Sequence, residues 1–532
     1  MTRLRAAASA RGRALWAWLR THPWHVAFAV AGAAIVAQRL VALDTVPNGL
    51  YADEAAFGYN AWAVATTGVD EHGQSWPLFF QSFDDWKSPA YIYALAPLTR
   101  ILGLTPAVER LPAALCGIAV CALLALAAYR LTRSRPVALL VLLTAAVEPW
   151  LVVENRVGFD VNVLVLCIVG TIWALSHASE TGRRRWFAVA GVWAAIAVYA
   201  YTTGRLVGVL LLLAITAGFA FPRQRWRGWW LSAIPVVASY GVLFAWSHNH
   251  ADALTARYNV VGILADHPSL LTAVHRAVNN YIQYWGAPFL ATHGDGNLRH
   301  NTGYGGELLI VTLPAIVAGI VVCALRWREA MPRFTLAGLL LAPLPAALTM
   351  DGTPHALRAA VMLPFLLLAS VYGWQWMLPL LVRRRVVGGV LVAVALVESV
   401  VFFNDMYHYW PQRAAPWFEA GLGPAIVYAH DIAGTRHQVV LSSRWEAPYI
   451  APLFWLQVDP RRYQRDGTEA AGVRIADLSA AQPGDIMVVS PYDTVPPGAT
   501  LLQSETITID LPVDQAFQPS QMTSVVAAVW RR

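Results

Sequence analysis

Apolar runs of about 20 residues recur along the first three quarters of the chain, and they constrain its fold more than any other feature. As an α-helix, a run of this length crosses the hydrocarbon core of a bilayer. Only 13% of the 532 residues are charged, against about 25% in soluble domains. The sequence therefore predicts a polytopic α-helical membrane protein with about eleven transmembrane helices. The predicted spans are residues 24–43, 110–131, 136–153, 160–178, 185–202, 205–222, 229–247, 308–325, 334–350, 361–381 and 386–404.

Arginine indicates which connections between these spans face the cytoplasm. The arginine clusters fall in alternate connections, as the positive-inside rule requires of cytoplasmic loops. The net charge of +7 is therefore mostly topological, and nucleic acid is not expected as a partner. The sequence predicts a multi-pass protein of the cytoplasmic membrane. Its arginine clusters lie within 3–20, 130–135, 183–185, 223–227, 326–333 and 383–385.

The intervening connections are expected on the outer side, together with the end of the chain. Residues 405–532 have the composition of a folded domain, and alternating apolar stretches at 437–443 and 484–490 predict buried strands. All four cysteines fall inside predicted spans, so no disulfide framework is expected outside. The predicted division is a membrane domain over 1–404 and a small extracytoplasmic α/β domain over 405–532.

An acidic pair lies near the start of the first outer connection, 44–109. In the stretch "NGLYADEAAFGYNAWAVATTG", Asp53 and Glu54 begin an amphipathic helix that Gly68 can end. Asp53 follows the first predicted span closely, which keeps it near the lipid headgroups. A carboxylate there can accept the proton of an attacking hydroxyl. The alternative is that Asp53 only caps the helix.

Lys87, in "SFDDWKSP", is the only lysine among the 39 Lys and Arg residues. Ser88 and Pro89 favour the start of a helix, and the apolar run that follows is too short to span. The connection 44–109 is therefore expected to hold interfacial helices. A helix N-terminus attracts anions, so Lys87 is predicted to contact a phosphate, although an incidental surface position is the alternative. Asp84 or Asp85 would orient it.

Basic residues and histidines accompany carboxylates in the other outer connections as well. Together they predict one substrate site, because such side chains bind phosphate and neutralise its charge as it departs. For Arg205 the alternative is a snorkelling anchor at the membrane surface. The candidate phosphate ligands are Lys87, Arg156, Arg205, His355 and Arg358, and further site candidates are Asp84, Asp85, His293, Asp295, Arg299 and His300.

No cofactor is required by these residues. A divalent metal is possible, since Asp, Glu and His occur in several outer connections, but no HExxH or paired-cysteine pattern supports one. Soluble nucleotide donors are normally unavailable outside the cytoplasmic membrane. An activated group must then arrive on a membrane lipid, and a polyprenyl-phosphate sugar meets that need.

Four stretches resemble glycosyltransferase family 39, which includes protein O-mannosyltransferases and lipid A aminoarabinose transferases. The resemblance covers roughly residues 24–410, and its most specific element is the acidic pair. It implies the GT-C fold, a lipid-phosphate donor, inversion at the sugar carbon, Asp53 as the base or its assistant, and Lys87 beside the donor phosphate. Glu54 would support Asp53. The four stretches are "YADEAAFGYNAWAVATTG", "KSPAYIYALAPLTRILGL", "ENR" and "PHALRA".

The predicted function is transfer of a sugar from a polyprenyl-phosphate donor to an acceptor hydroxyl outside the membrane. The acceptor is a glycan, a lipid or a protein. One alternative is a polysaccharide ligase or polymerase of another membrane fold, against which the acidic pair argues. A second is a transporter or flippase, but transporters place polar groups near the bilayer midplane and the predicted spans hold few carboxylates.

Overall fold

The computed structural model describes residues 21–83, 85–221, 228–251, 253–434, 436–510 and 521–532. Up to the end of the last membrane helix, its helices are α1 Pro23–Leu40, α2 Ala52–Thr67, α3 Pro89–Leu102, α4 Pro106–Thr132, α5 Arg135–Val147, α6 Pro149–Glu154, α7 Val161–Thr181, α8 Arg185–Ala197, α9 Gly204–Phe219, α10 Ala233–Ser247, α11 Ala256–Val261, α12 Leu270–Gln283, α13 Leu313–Leu325, α14 Ala330–Leu341, α15 Leu344–Ala347, α16 Ala356–Ala359, α17 Met362–Arg383 and α18 Arg385–Asn404.

A helix occupies each segment that the sequence predicts to span the membrane. Within the described residues, six helical segments are long and apolar enough to cross a bilayer, and four more apolar helices are shorter. The predicted polytopic helical membrane protein is confirmed, while the number of spans stays a prediction. The six are Pro106–Thr132, Val161–Thr181, Trp229–Ser247, Ala330–Ala347, Met362–Arg383 and Arg385–Arg413. The arginine clusters at 3–20 and 223–227 lie outside the described residues.

Small residues let neighbouring membrane helices approach closely. A Cβ on Gly319 of α13 would lie 1.9 Å from the carbonyl oxygen of Ala369 in α17. A Cβ on Gly373 of α17 would lie 1.7 Å from the carbonyl oxygen of Ala315 in α13. Close packing of this kind drives helix association in lipid, because the hydrophobic effect does not favour contacts between helices over contacts with acyl chains.

The connection between α1 and α4 folds into two helices and a short hairpin. Helix α2 starts at Ala52, with Tyr51 at its N-cap position, and ends at Gly68, whose φ of 78° suits a residue without a side chain. Strands β1 Phe80–Ser82 and β2 Asp85–Lys87 pair antiparallel. Helix α3 follows at once, and its buried face packs on α2. The helix predicted after Ser88 is therefore present, and its 14 residues are too few to span a bilayer; its place at the membrane interface stays a prediction.

The end of the chain forms the predicted α/β unit. Its elements are α19 Trp410–Arg413, α20 Leu422–Ala433, β3 Val439–Ser442, α21 Ile450–Trp455, α22 Pro460–Asp466, β4 Val473–Ala476, β5 Ile486–Val489, β6 Thr500–Asp510 and β7 Gln521–Arg531. The five-stranded sheet has the order β4-β3-β5-β7-β6, in which β3 runs parallel to β4 and β5 while β7 runs antiparallel to β5 and β6. The strands predicted at 437–443 and 484–490 are β3 and β5.

This terminal unit shares a hydrophobic core with α2. The cluster includes Ala55 and Tyr59 of α2 together with Leu441 of β3 and Phe454 of α21. The Tyr59 hydroxyl also donates a hydrogen bond to the carbonyl oxygen of Val458 at 2.9 Å. A boundary at residue 404 stays a prediction, and the packing shows that residues on its two sides contribute to one core.

Candidate active site

A polar cavity of about 830 Å³ lies where the α1–α4 connection meets four other connections and the terminal unit. It is the size of a small-molecule site. Cationic and anionic side chains face each other across it. The charged residues and histidines on its wall are Asp53, Asp85, Lys87, Asp160, Arg205, Arg257, Asp295, Arg299, His300, Asp351, His355, Arg358 and Glu446.

Asp53 and Lys87 form an ion pair at this wall. The Lys87 Nζ atom donates to Asp53 Oδ1 at 2.6 Å and lies 3.7 Å from Asp85 Oδ2. The Tyr51 hydroxyl donates to the other Asp53 oxygen at 2.7 Å. Asp53 does not cap α2, because Glu54 instead accepts a hydrogen bond from the Tyr51 backbone N–H at 3.3 Å. The Asp53 carboxylate is therefore aimed into the cavity.

The pair is ionised at neutral pH. Burial alone would raise the pKa of Asp53, but the Lys87 charge and the hydrogen bonds from Lys87 and Tyr51 outweigh it, and the pKa lies below its ordinary value. Burial likewise opposes the charge on Lys87, yet Asp53 and Asp85 outweigh it and raise the pKa of the ammonium. While Lys87 is bonded to Asp53, the lowered pKa makes the Asp53 carboxylate a weak base.

Four arginines and Lys87 give the cavity its positive charge. Arg205 donates from Nη1 to the Ala253 and Leu254 carbonyl oxygens, both at 3.3 Å, while its buried Nε and Nη2 have no hydrogen-bond partner among the described residues. Arg257 lines the cavity and makes no ion pair in the described part of the chain. Arg358 pairs with Asp351 at 2.9 Å. Unpaired guanidinium donors in a cleft are suited to an anion.

Arg299 connects the cavity to the terminal unit. Its guanidinium lies over the Tyr51 ring, 4.4 Å from the centroid, and donates to the Trp417 carbonyl oxygen at 2.8 Å. Its Nη2 also donates to Glu446 Oε2 at 2.5 Å. The terminal unit thus supplies part of the wall and helps to place the tyrosine that bonds Asp53.

Two histidines and an aspartate form a second group on the wall. The His300 and His355 rings lie 4.7 Å apart, and His355 Nδ1 is 3.6 Å from Asp295 Oδ2. Burial raises the pKa of Asp295 to about 6 and lowers the pKa of His355 to about 3. Burial also lowers the pKa of His300 well below its ordinary value. Neutral imidazoles beside a carboxylate can hold a metal ion.

The structure brings most of the predicted site residues together but corrects the placement of three. Glu54 is fully buried outside the cavity, where its carboxylate pairs with Arg110 at 2.8 Å and accepts the Gly158 N–H at 3.0 Å. Glu54 thus supports Asp53 only by holding the first turn of α2. Asp84 lies outside the described residues.

Arg156 and His293 also lie outside the cavity. The Arg156 guanidinium donates to the carbonyl oxygens of Val41, Ala42 and two further residues at 2.8–3.0 Å, so it binds the end of α1 and not a phosphate. His293 is exposed, and its ring bonds to the Thr292 hydroxyl at 2.7 Å. Both residues were predicted because they accompany carboxylates in outer connections, a pattern that does not distinguish a ligand from a structural contact.

The sequence analysis missed Tyr51, Arg257 and Glu446. Tyr51 had a usable signal, since it directly precedes the helix that begins with the acidic pair. Arg257 and Glu446 had none, because each reaches the cavity only through long-range packing.

Residues 86–250 match the family model described as dolichyl-phosphate-mannose-protein mannosyltransferase. This segment includes Lys87 and Arg205. No curated protein matches the chain.

Solved structures extend the comparison to nearly the whole fold. ArnT from Cupriavidus metallidurans in the apo state gives a TM-score of 0.54 at 13% identity, covering 89% of this chain and 94% of ArnT. The same protein bound to undecaprenyl phosphate gives a TM-score of 0.52 at 13% identity, covering 95% and 98%. Similarity at this identity shows the fold.

These matches define the class of the protein. The chain has the GT-C fold that the resemblance to family 39 predicts, and one segment of it matches a family model of membrane mannosyltransferases. A ligase or polymerase of another membrane fold and a transporter are not supported.

Proposed function

We propose that the chain transfers a sugar from a polyprenyl-phosphate donor to an acceptor hydroxyl on the outer side of the cytoplasmic membrane, with inversion at the sugar carbon. The observation that carries the proposal is the Asp53–Lys87 pair on the wall of a cavity rich in arginine. The matched family is described by a dolichyl-phosphate sugar, and one similar structure is of ArnT bound to undecaprenyl phosphate.

The donor phosphate would lie among Lys87, Arg205 and Arg257. Arg205 offers two buried donors without a partner among the described residues, and Arg257 has no competing carboxylate within ion-pair distance in that part of the chain. A phosphate leaves without a strong general acid when its charge is neutralised. Arg358 and Arg299 already form ion pairs with carboxylates. They would therefore add to the positive potential around the phosphate without contacting it directly.

Asp53 would act as the base. As the acceptor oxygen bonds to the anomeric carbon on one face, the bond to the phosphate oxygen breaks on the other, and the acceptor proton passes to Asp53. The pKa of Asp53 is held low by Lys87. A phosphate that shares the Lys87 charge weakens this hold, so donor binding itself would make Asp53 more basic.

The chemistry would take place on the extracytoplasmic side, as the arginine distribution predicts. The acceptor would then approach along the wall that includes Arg299 and Glu446, where the terminal unit borders the cavity. The acceptor would be a glycan, a lipid or a protein, and the terminal unit would help to bind it.

The test is transfer by Asp53→Asn. Protein reconstituted in lipid nanodiscs would receive a polyprenyl-phosphate sugar labelled in the sugar, with cell envelopes of a deletion strain as acceptor. We expect a loss of about 10²–10⁴-fold in turnover, the usual contribution of a general base. Asp44→Asn, at an exposed position in the connection between α1 and α2, is the matched control and should transfer normally. Near-normal turnover by Asp53→Asn removes Asp53 from the mechanism.

A further inference from the structure

Asp295, His300 and His355 have the arrangement of a metal-ligand set. One ligand atom from each side chain lies within 4.8 Å of the other two. Asp295 and His300 come from the connection between α12 and α13, and His355 comes from the turn before α16. Folding thus brings two imidazoles and a carboxylate to one place from two distant parts of the chain.

Each histidine of this group has a buried ring nitrogen that no partner among the described residues satisfies. The Nδ1 atoms of His300 and His355 are buried without a hydrogen bond in the described part of the chain, and so are both carboxylate oxygens of Glu154. Glu154 is only 4% exposed, and its Oε1 lies 3.7 Å from His300 Nδ1. Buried polar groups are nearly always paired. A cation held by Asp295, His300 and His355 would give the two imidazoles a partner.

The spacing fits a tetrahedral site. Zinc binds nitrogen and oxygen ligands at about 2.0–2.2 Å, which puts two tetrahedral ligands about 3.3–3.6 Å apart. The observed separation is 3.6 Å from His355 Nδ1 to Asp295 Oδ2, and no two of the three ligand atoms are more than 4.8 Å apart. The three side chains therefore lie slightly wider apart than they would around a bound ion.

We propose that these residues form a site for a divalent transition-metal ion of the zinc class. Asp295, His300 and His355 would be the three protein ligands, with the Glu154 carboxylate beside His300. Imidazole ligands favour zinc over magnesium or calcium. The backbone N–H groups of Asn297 and Ala356 already orient the Asp295 carboxylate, at 2.8 and 2.7 Å, as outer partners do in metal sites.

The ion would join two connections that both carry cavity arginines. Arg299 lies beside His300, and Arg358 lies one helical turn after His355. A metal bond between these connections would fix the distance between the two guanidinium groups. The proposal is independent of the transfer reaction, because it concerns only metal binding and the stability of this wall.

Metal content provides the test. Protein purified without a polyhistidine tag would be stripped with chelator, incubated with Zn²⁺, desalted and analysed by mass spectrometry for metal. We expect about one zinc per chain in the wild type and a loss of at least tenfold in the double variant His300→Ala, His355→Ala. His293→Ala is the matched control, since this exposed histidine lies on the same connection outside the cavity, and it should retain the metal.

A second measurement covers failure of the double variant to fold. X-ray absorption of the zinc-loaded wild type should show two imidazole nitrogens with light-atom ligands, and Zn²⁺ should raise its unfolding temperature. Wild-type protein that binds no zinc, a double variant that keeps it, or a spectrum without two imidazoles overturns the proposal. These outcomes leave the Asp53 test unaffected, so the two proposals fail separately.

Discussion

Replacing Lys87 with alanine tests the phosphate contact most directly. The Lys87 ammonium has three N–H donors, of which Asp53 takes one at 2.6 Å and Asp85, at 3.7 Å, is beyond a hydrogen bond. The side chain is 13% exposed, and it faces the cavity. Counting partners among the described residues, at least one donor is therefore free to bind a phosphate oxygen.

The size of the effect follows from one charged hydrogen bond. Its loss costs about 1.5–3 kcal/mol, or roughly 10- to 150-fold in the dissociation constant. Lys87→Ala should bind polyprenyl phosphate and the polyprenyl-phosphate sugar more weakly by the same factor, because both ligands present the same anion. Lys87→Arg should recover part of the affinity, since it restores the charge and not the geometry.

Titration of nanodisc-embedded protein with polyprenyl phosphate would measure this difference. Arg100→Ala is the matched control, because Arg100 is an exposed cation on α3, close in sequence but away from the cavity. It should bind as the wild type does. Equal binding by wild type and Lys87→Ala would refute the phosphate contact and return Lys87 to the role of a partner for Asp53.

Two further predictions concern charge. Arg110→Ala should destabilise the protein by about 3–5 kcal/mol, because it leaves the fully buried Glu54 carboxylate without its cation. Thermal unfolding in detergent would measure this loss of stability, with Arg100→Ala as the control. A loss of stability no larger than that of the control would contradict the buried pair. In Lys87→Met the pKa of Asp53 should rise, since burial raises it and the opposing charge is gone. The acid limb of kcat/KM against pH should then move to higher pH than in the wild type, and an unchanged limb would show that Asp53 is not the titrating base.

The sequence predicted the parts of this structure that local patterns determine. The apolar runs gave the membrane helices, and the alternation at 437–443 and 484–490 gave β3 and β5. Asp53 and Lys87 were recognised because each lies next to a helix start in a short, distinctive stretch. The hairpin that brings them together was missed, as its three-residue strands are too short to show a period.

Charged residues in buried networks could not be told from ligands. Glu54 and Arg156 resemble site residues in sequence, but their partners are Arg110 and the end of α1, which become neighbours only in the folded chain. Glu446 is the opposite case, a residue of the cavity wall that the sequence analysis did not predict. Nothing near it in sequence indicates that it accepts a hydrogen bond from Arg299. Long-range docking decides both cases, and a single sequence does not record it.

The packing of the terminal unit on α2 has a consequence for how such enzymes can be recombined. The helix that begins with Asp53 buries its other face in the core of the terminal sheet, and Tyr59 bonds to Val458. Catalytic groups must be held within about 0.5 Å of their working positions. A chimera that exchanges residues 405–532 alone would change the surface against which α2 packs, and would therefore disturb the position of the Asp53 carboxylate. The smallest interchangeable module is therefore discontinuous, made of α2 and the terminal unit together.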